Sequence, residues 1–177
     1  PYFYPFLVSL LHDLTGYRSE NAFILNALLT PIFLSLLFYA GQLLCRKYGG
    51  YLAVGLFATV PLLAMNMNGA GFELLNLVML LGTFVAAYQY LLKTDKLRLN
   101  LLILMGLLLA QTRYESILYV FAVAAVVAVG WWRSKQVILS WTAIAAPLLL
   151  LSVPLQQIIF SEYDGLWQLK DGVERPF

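Results

Sequence analysis

Charge is what this sequence has least of. Of its 177 residues only 11% are Asp, Glu, Lys or Arg, against 62% hydrophobic, whereas soluble chains carry about 25% charged residues. With a mean hydropathy of +0.80, this excludes a cytosolic globular enzyme, a disordered tail and a collagen-like fibre. A net charge of +2 offers no basic face for phosphates, which argues against nucleic acid as a partner. Cysteine is nearly absent: Cys45 stands alone, so neither a disulfide framework nor a thiolate metal site can be built. Cys45 reads as a buried, inert thiol, with palmitoylation beside Arg46 and Lys47 as the alternative. His12 is the only histidine, so the chain has no histidine-based zinc cluster. Gly69-Ala70-Gly71 lacks the third glycine and preceding strand of a dinucleotide fingerprint. No inverted repeat of the transporter kind is visible. The first residue is Pro1 and no charged signal region follows it, so the chain reads as an internal piece of a longer membrane protein.

What is present is long apolar runs. At about 20 residues per crossing the length accommodates roughly six spans. The runs are Ala22–Gln42, Tyr51–Met65, Leu74–Leu92, Leu101–Ala110, Ile117–Trp132 and Val137–Leu155. A single helix over Leu101–Trp132 would run about 48 Å. It would also place Arg113 and Glu115 at mid-bilayer, at roughly 2.5–3.5 kcal/mol each, so two spans with a polar turn fit better. The expected architecture is an all-α polytopic bundle of about six transmembrane helices forming one module over residues 1–177. Residues 1–20 form an outer juxtamembrane helix, 21–155 the transmembrane part and 156–177 an outer loop. Phe3, Leu7, Leu10, Leu11 and Leu14 recur at helical spacing among Tyr2, Tyr4 and Tyr17, as in a helix lying in the interface plane. A helix packed against another part of the protein is the alternative.

Counting alternate connections puts Arg46, Lys47, Lys93, Lys96, Arg98, Arg133 and Lys135 on one side, and Arg18, Arg113, Lys170 and Arg175 on the other. The richer side is expected to be cytoplasmic. Asp13, Glu20, Glu73, Glu115, Glu162, Asp164, Asp171 and Glu174 then face outward. Glu162 and Asp164, close about Tyr163, read as part of a solvated loop.

Two outer turns concentrate the polar residues, residues 66–73 and 111–115. The helices leading into them, about 22 Å for Tyr51–Met65 and about 15 Å for Leu101–Ala110, fall short of about 30 Å of hydrocarbon. Both turns should therefore lie below the outer surface, where non-helical backbone needs protein or a wet cavity around it. A cavity open to the outer leaflet suits a lipid with a polar head. Thr112-Arg113-Tyr114-Glu115 matches a capping box, with Thr112 as N-cap and Glu115 reaching back. Arg113 would then sit in the first helical turn, where a guanidinium fork suits phosphate. Alternatively it pairs with Glu115 or Glu73, or snorkels to the headgroups. Glu73 either complements the dipole of the following helix, or faces Arg113 and holds an acceptor hydroxyl or a divalent ion. Asn66 and Asn68 could bond sugar hydroxyls, while turn formation also explains Asn68-Gly69. Tyr2, Tyr4, Phe6 and Tyr114 could line the entry or anchor the interface.

Taken in order, Tyr2-Phe3-Tyr4-Pro5-Phe6-Leu7-Val8-Ser9-Leu10-Leu11, Thr15-Gly16-Tyr17-Arg18-Ser19-Glu20, and a long span closed by Arg46-Lys47-Tyr48-Gly49-Gly50 resemble the polytopic GT-C glycosyltransferases. That class includes protein mannosyltransferases and bacterial lipid A aminoarabinose transferases. Val60-Pro61-Leu62-Leu63, the acid-bearing turn at Glu73, and the stretch from Gly106 to Glu115 continue the likeness. The resemblance implies an inverting sugar transfer from a polyprenyl-phosphate donor to a lipid, glycan or protein acceptor. It implies the outer face of a multi-pass protein, read as one of the bacterial inner membrane and in contact with membrane lipids. It makes Glu73 a secondary acid and Arg113 the donor-phosphate residue, and beside them the residue reading takes Asn68, Tyr114, Glu115 and Tyr4 as substrate-lining. The family's principal acid would precede Pro1, so the chain alone is expected to be inactive. No cofactor is implied with certainty, though a divalent cation is possible. The rival reading is a transporter or flippase-type subunit that moves an amphipathic lipid without making bonds, and a noncatalytic assembly subunit is a third.

Overall fold

A computed structural model describes residues 2–61, 65, 69–151, 155 and 158. Among them the chain is all-α. Helix α1 spans Phe3–Thr15, α2 Asn21–Ala58, α3 Glu73–Leu92 and α4 Lys96–Ala110. A 3-10 turn over Glu115–Leu118 leads into α5, Tyr119–Ser134, and α6 covers Trp141–Leu150.

Three of these segments are long and apolar enough to cross a membrane: Asn21–Ala58, Glu73–Leu92 and Glu115–Ser134. This replaces the expected six. Length accounts for the shortfall among the described residues: α4 has 15 residues, and the second arm of α2 is short because α2 is folded on itself. Cys45 (φ −122°, ψ 24°) and Arg46 (φ 56°, ψ −143°) leave the helical region. The rings of Phe33 and Phe57 then meet with centroids 5.8 Å apart, although 24 residues of straight helix would separate them by about 36 Å. The result is an antiparallel hairpin of arms 21–44 and 47–58, the second only about 18 Å long. Its close approach depends on glycine: a Cβ on Gly41 would lie 2.5 Å from the Gly49 carbonyl oxygen, and one on Gly49 would collide with the Gly41 carbonyl. Cys45 sits exposed at this turn, not buried as its composition suggested.

Helix α4 begins five residues earlier than the apolar run, because Asp95 accepts a hydrogen bond from the Arg98 amide at 2.9 Å. It is therefore about 22 Å long rather than about 15 Å, still short of a full crossing. Helix α6 starts where the Ser140 hydroxyl accepts from the Ala143 amide at 3.3 Å, four residues inside the expected span.

Helix α3 is the centre of the bundle. One side meets α1 and α2 through Tyr4, Leu25, Leu29, Phe33, Leu74, Leu75 and Val78. Its lower half meets α4 through Ala86, Tyr90, Leu99, Leu102 and Ile103, with Val123, Val126 and Val127 of α5 and Ala143 and Ala146 of α6 packed around them. Between helices in lipid such contacts gain by close packing rather than by release of water.

The connections alternate ends. Gln89 donates to the Tyr39 hydroxyl at 2.7 Å, which sets the first arm's end beside the end of α3. The Tyr90 ring lies against Gly130, where a Cβ would collide with it. Turns 45–46, 93–95 and 135–140 therefore share one end, and the opposite end holds α1, the 69–72 turn and the 111–115 turn. The basic side derived from the sequence thus forms a single face.

Helix α1 turns its stripe differently from expectation. Phe3, Leu7 and Leu11 pack onto the core, while Phe6, Leu10 and Leu14 are exposed. Its anchor is the Tyr4 hydroxyl, which donates to the Ala70 carbonyl at 2.9 Å, with the Ala22 carbonyl at 3.4 Å. The α1–α2 corner closes on Asn21, fully buried, whose amide donates to the Gly16 carbonyl at 2.9 Å and to Nδ1 of His12 at 2.7 Å.

Candidate functional site

The 69–72 and 111–115 turns come together, and polar side chains inside the helices do the joining. In the first turn, the Asn26 amide donates to the carbonyls of Gly69 (2.8 Å) and Gly71 (2.9 Å), and Tyr4 takes the carbonyl between them. Three successive carbonyls are thus satisfied by side chains of α1 and α2. In the second, Oδ1 of Asn76, one turn into α3, accepts from Thr112 at 2.6 Å and from Ser116 at 2.7 Å. Both hydroxyls are almost completely buried. Irregular backbone within a membrane bundle needs such internal partners, and here they lock the second turn onto the helix that follows the first.

This arrangement replaces the capping box. Thr112 directs its hydroxyl to Asn76, with the Leu109 carbonyl at 2.7 Å as a second acceptor, and caps no helix. The helical hydrogen bonds resume only with the 3-10 turn at Glu115, which has no side-chain cap. Arg113 therefore lies in the turn, ahead of the helical start and not in its first turn. Glu115 reaches no amide; it is well exposed and its Oε2 lies 3.3 Å from Nε of Arg113. The local pairing that the sequence left open is the one observed.

Arg113 keeps capacity beyond that pair. Its guanidinium carbon stands 5.5 Å from the centroid of the Phe72 ring, a cation–π distance. Glu115 engages only Nε, and no described residue takes Nη1 or Nη2. Phe72 immediately precedes Glu73, so the arginine of one turn is held over the other. The side chain is 39% exposed, open to a ligand from outside.

Glu73 opens α3, where a carboxylate complements the helix dipole. Its carboxylate curls back against Gly71, at a point a Cβ on that glycine would fill. It also lies near enough to Tyr4 to act on it: burial, and then the Glu73 charge, push the Tyr4 phenol above its usual 10.0. The phenol thus stays a proton donor to the loop. Tyr114 is exposed beside Arg113. Asn66, Asn68 and the acids at 162, 164, 171 and 174 lie outside the described residues.

The structure therefore brings Tyr4, Glu73, Arg113 and Glu115 to one corner, with Arg113 paired to Glu115 rather than to Glu73. Among the described residues no three His, Cys, Asp or Glu side chains gather to hold a metal ion. An apolar cavity of about 300 Å³ lies elsewhere, between α4, α5 and α6, walled by Gly106, Val123, Val127 and Pro147 among others. Sequence reasoning missed Asn26 and Asn76. The available signal was an amide inside an apolar span, which is rare enough in membrane helices to mark a specific partner.

No protein-family profile, characterised protein or solved structure matches this chain.

Proposed function

We propose that this chain is the membrane module of a glycosyltransferase that moves a sugar from a polyprenyl-phosphate donor to an acceptor at the extracytoplasmic face. What supports the reading is the partly engaged guanidinium of Arg113, fixed over Phe72 on a pair of turns that side-chain hydrogen bonds hold together. Two of its nitrogens remain for an anion, and the planar fork suits a phosphate oxygen pair. In this reading Arg113 stabilises the leaving phosphate as its charge grows. Glu73, the secondary acid, orients the acceptor hydroxyl, while the base that deprotonates it lies elsewhere in the protein. Tyr4 and Tyr114 flank the sugar, and Glu115 keeps the arginine extended until donor arrives. The apolar cavity between α4, α5 and α6 has the lining that an isoprenoid tail requires.

The test is sugar transfer by the full-length protein carrying Arg113→Ala. Loss of a charged hydrogen bond to the transition state costs about 2 kcal/mol, some thirtyfold in rate, and Arg113→Lys should recover part of it. Turnover within about twofold of wild type, well inside that range, would remove Arg113 from the phosphate role.

A further inference from the structure

The opposite end of the bundle carries its own pattern. Among the described residues only two non-glycine residues have positive φ, Arg46 (φ 56°) and Lys135 (φ 53°). Both sit at hairpin turns of that one end. Glycine alone occupies such positions without the clash of a Cβ against the carbonyl, and a helix stop like that at Lys135 is usually glycine. Each turn therefore holds a cation where glycine would be less strained, an outlier of the kind that points to a role outside the fold.

Among the described residues these cations find no counter-charge. Arg46, Lys47, Lys93, Lys96, Arg133 and Lys135 are all exposed and make no ion pair with a described residue. The single described acid at this end, Asp95, is taken by Arg98 at 3.7 Å. Beside the third turn Trp132 and Trp141 are 82% and 81% exposed, and indoles of this kind settle at the headgroup level of a bilayer. Leu44 and Leu92 stand exposed next to the first two turns, offering acyl chains a contact directly below the charges.

We propose that this end is a docking face for acidic phospholipid headgroups, with Arg46 and Lys135 as cations kept in strained turns for that purpose. A lipid surface fits better than an acidic protein, because the charges continue straight from apolar helices and are flanked by indoles at interfacial depth. The inference rests on the chain lying in a membrane and is independent of sugar transfer.

The experiment uses the complete protein in nanodiscs of mixed phosphatidylglycerol and phosphatidylcholine, with native mass spectrometry counting which lipids stay bound. Wild type should retain phosphatidylglycerol above its share of the disc. Arg46→Gly and Lys135→Gly should each lower that preference about fivefold at low salt, with the gap closing at about 0.5 M salt as screening sets in. Both glycine variants should unfold in a zwitterionic detergent at or above the wild-type temperature, because the backbone strain is relieved. Arg46→Gln and Lys135→Gln, which keep a side chain and lose only charge, should repeat the lipid result. Arg18→Gln, at the opposite end, should leave it unchanged. The proposal is overturned if wild type shows no preference for the acidic lipid, which would favour an acidic protein partner. It is also overturned if the variants at both turns retain the preference, or if Arg18→Gln lowers it equally.

Discussion

Removal of the Asn76 acceptor is expected to unfasten the second turn, and the structure gives the size of the effect. Oδ1 of Asn76 accepts two hydroxyl protons, from Thr112 at 2.6 Å and from Ser116 at 2.7 Å. Thr112 can fall back on the Leu109 carbonyl, whereas Asn76 is the one acceptor shown for Ser116. At about 1 kcal/mol for each bond, Asn76→Ala should cost about 2 kcal/mol, part of it the burden of a stranded Ser116 hydroxyl. Ser116→Ala loses one bond and strands nothing on its own side, so about 1 kcal/mol is expected. The double variant loses no bond beyond those already lost in Asn76→Ala and removes the stranded hydroxyl, so it should cost no more than Asn76→Ala alone. The coupling is then at least about 1 kcal/mol, above the average for polar pairs between membrane helices. Reversible unfolding in mixed micelles reads all three values. If the single costs add to the double within about 0.3 kcal/mol, the bond carries no coupling and the 111–115 turn is not joined to α3 as described.

The hairpin at Cys45–Arg46 and the Tyr4 anchor can be tested in the same micelles. Gly49→Ala places a methyl against the Gly41 carbonyl and should destabilise by about 1–3 kcal/mol. Gly55→Ala, with nothing within 4 Å of the new methyl, should be neutral or stabilising by up to about 1 kcal/mol; equal effects would contradict the folded-back helix. Because the Tyr4 phenol is raised above 10.0, its contribution is complete below that value and declines as pH climbs through the raised one. Wild type should therefore lose stability above about pH 10, and Tyr4→Phe should be weaker by about 1 kcal/mol at neutral pH while lacking that component of the alkaline loss. An alkaline profile unchanged by the substitution would show that the hydroxyl is not held as described.

The class of fold was legible because hydrophobic runs and the distribution of Lys and Arg depend only on local composition. The turns at Arg46–Lys47 and Lys93–Asp95 fell where basic residues interrupt apolar ones, and the chain does reverse there. The number of crossings was not legible, since a run of apolar residues records burial in lipid and does not fix the length of the helix that carries it: the second arm of the hairpin and α4 are both short of a full crossing. The start of α4 was misplaced for a related reason. Lys96 and Arg98 looked like loop residues, yet the Asp95 cap carries the helix through them. At the site, Arg113 and Glu73 were found as charges in apolar surroundings. The capping box failed because Asn76, 36 residues away from Thr112 in sequence, competes for its hydroxyl, and no local pattern can reveal a partner at that separation. The stripe on α1 was legible as helical but not as to its facing, because Tyr4 decides that by reaching Ala70.

The amides inside the spans also explain why the two turns behave as one unit. Asn26 and Tyr4 bind the carbonyls of residues 69–71 from α2 and α1, and Asn76 binds the second turn from α3, three residues after Glu73. Phe72 lies between those two sets of bonds, and Arg113 rests over its ring. A shift of either turn would therefore change the distance between the guanidinium and the Glu73 carboxylate without breaking a bond to either of them. In lipid, where an unpaired carbonyl costs several kcal/mol, each set of bonds holds its turn strongly. The corner is accordingly held by uncharged side chains on three helices, so that neither the Glu73 carboxylate nor the Arg113–Glu115 pair is needed to hold the turns together.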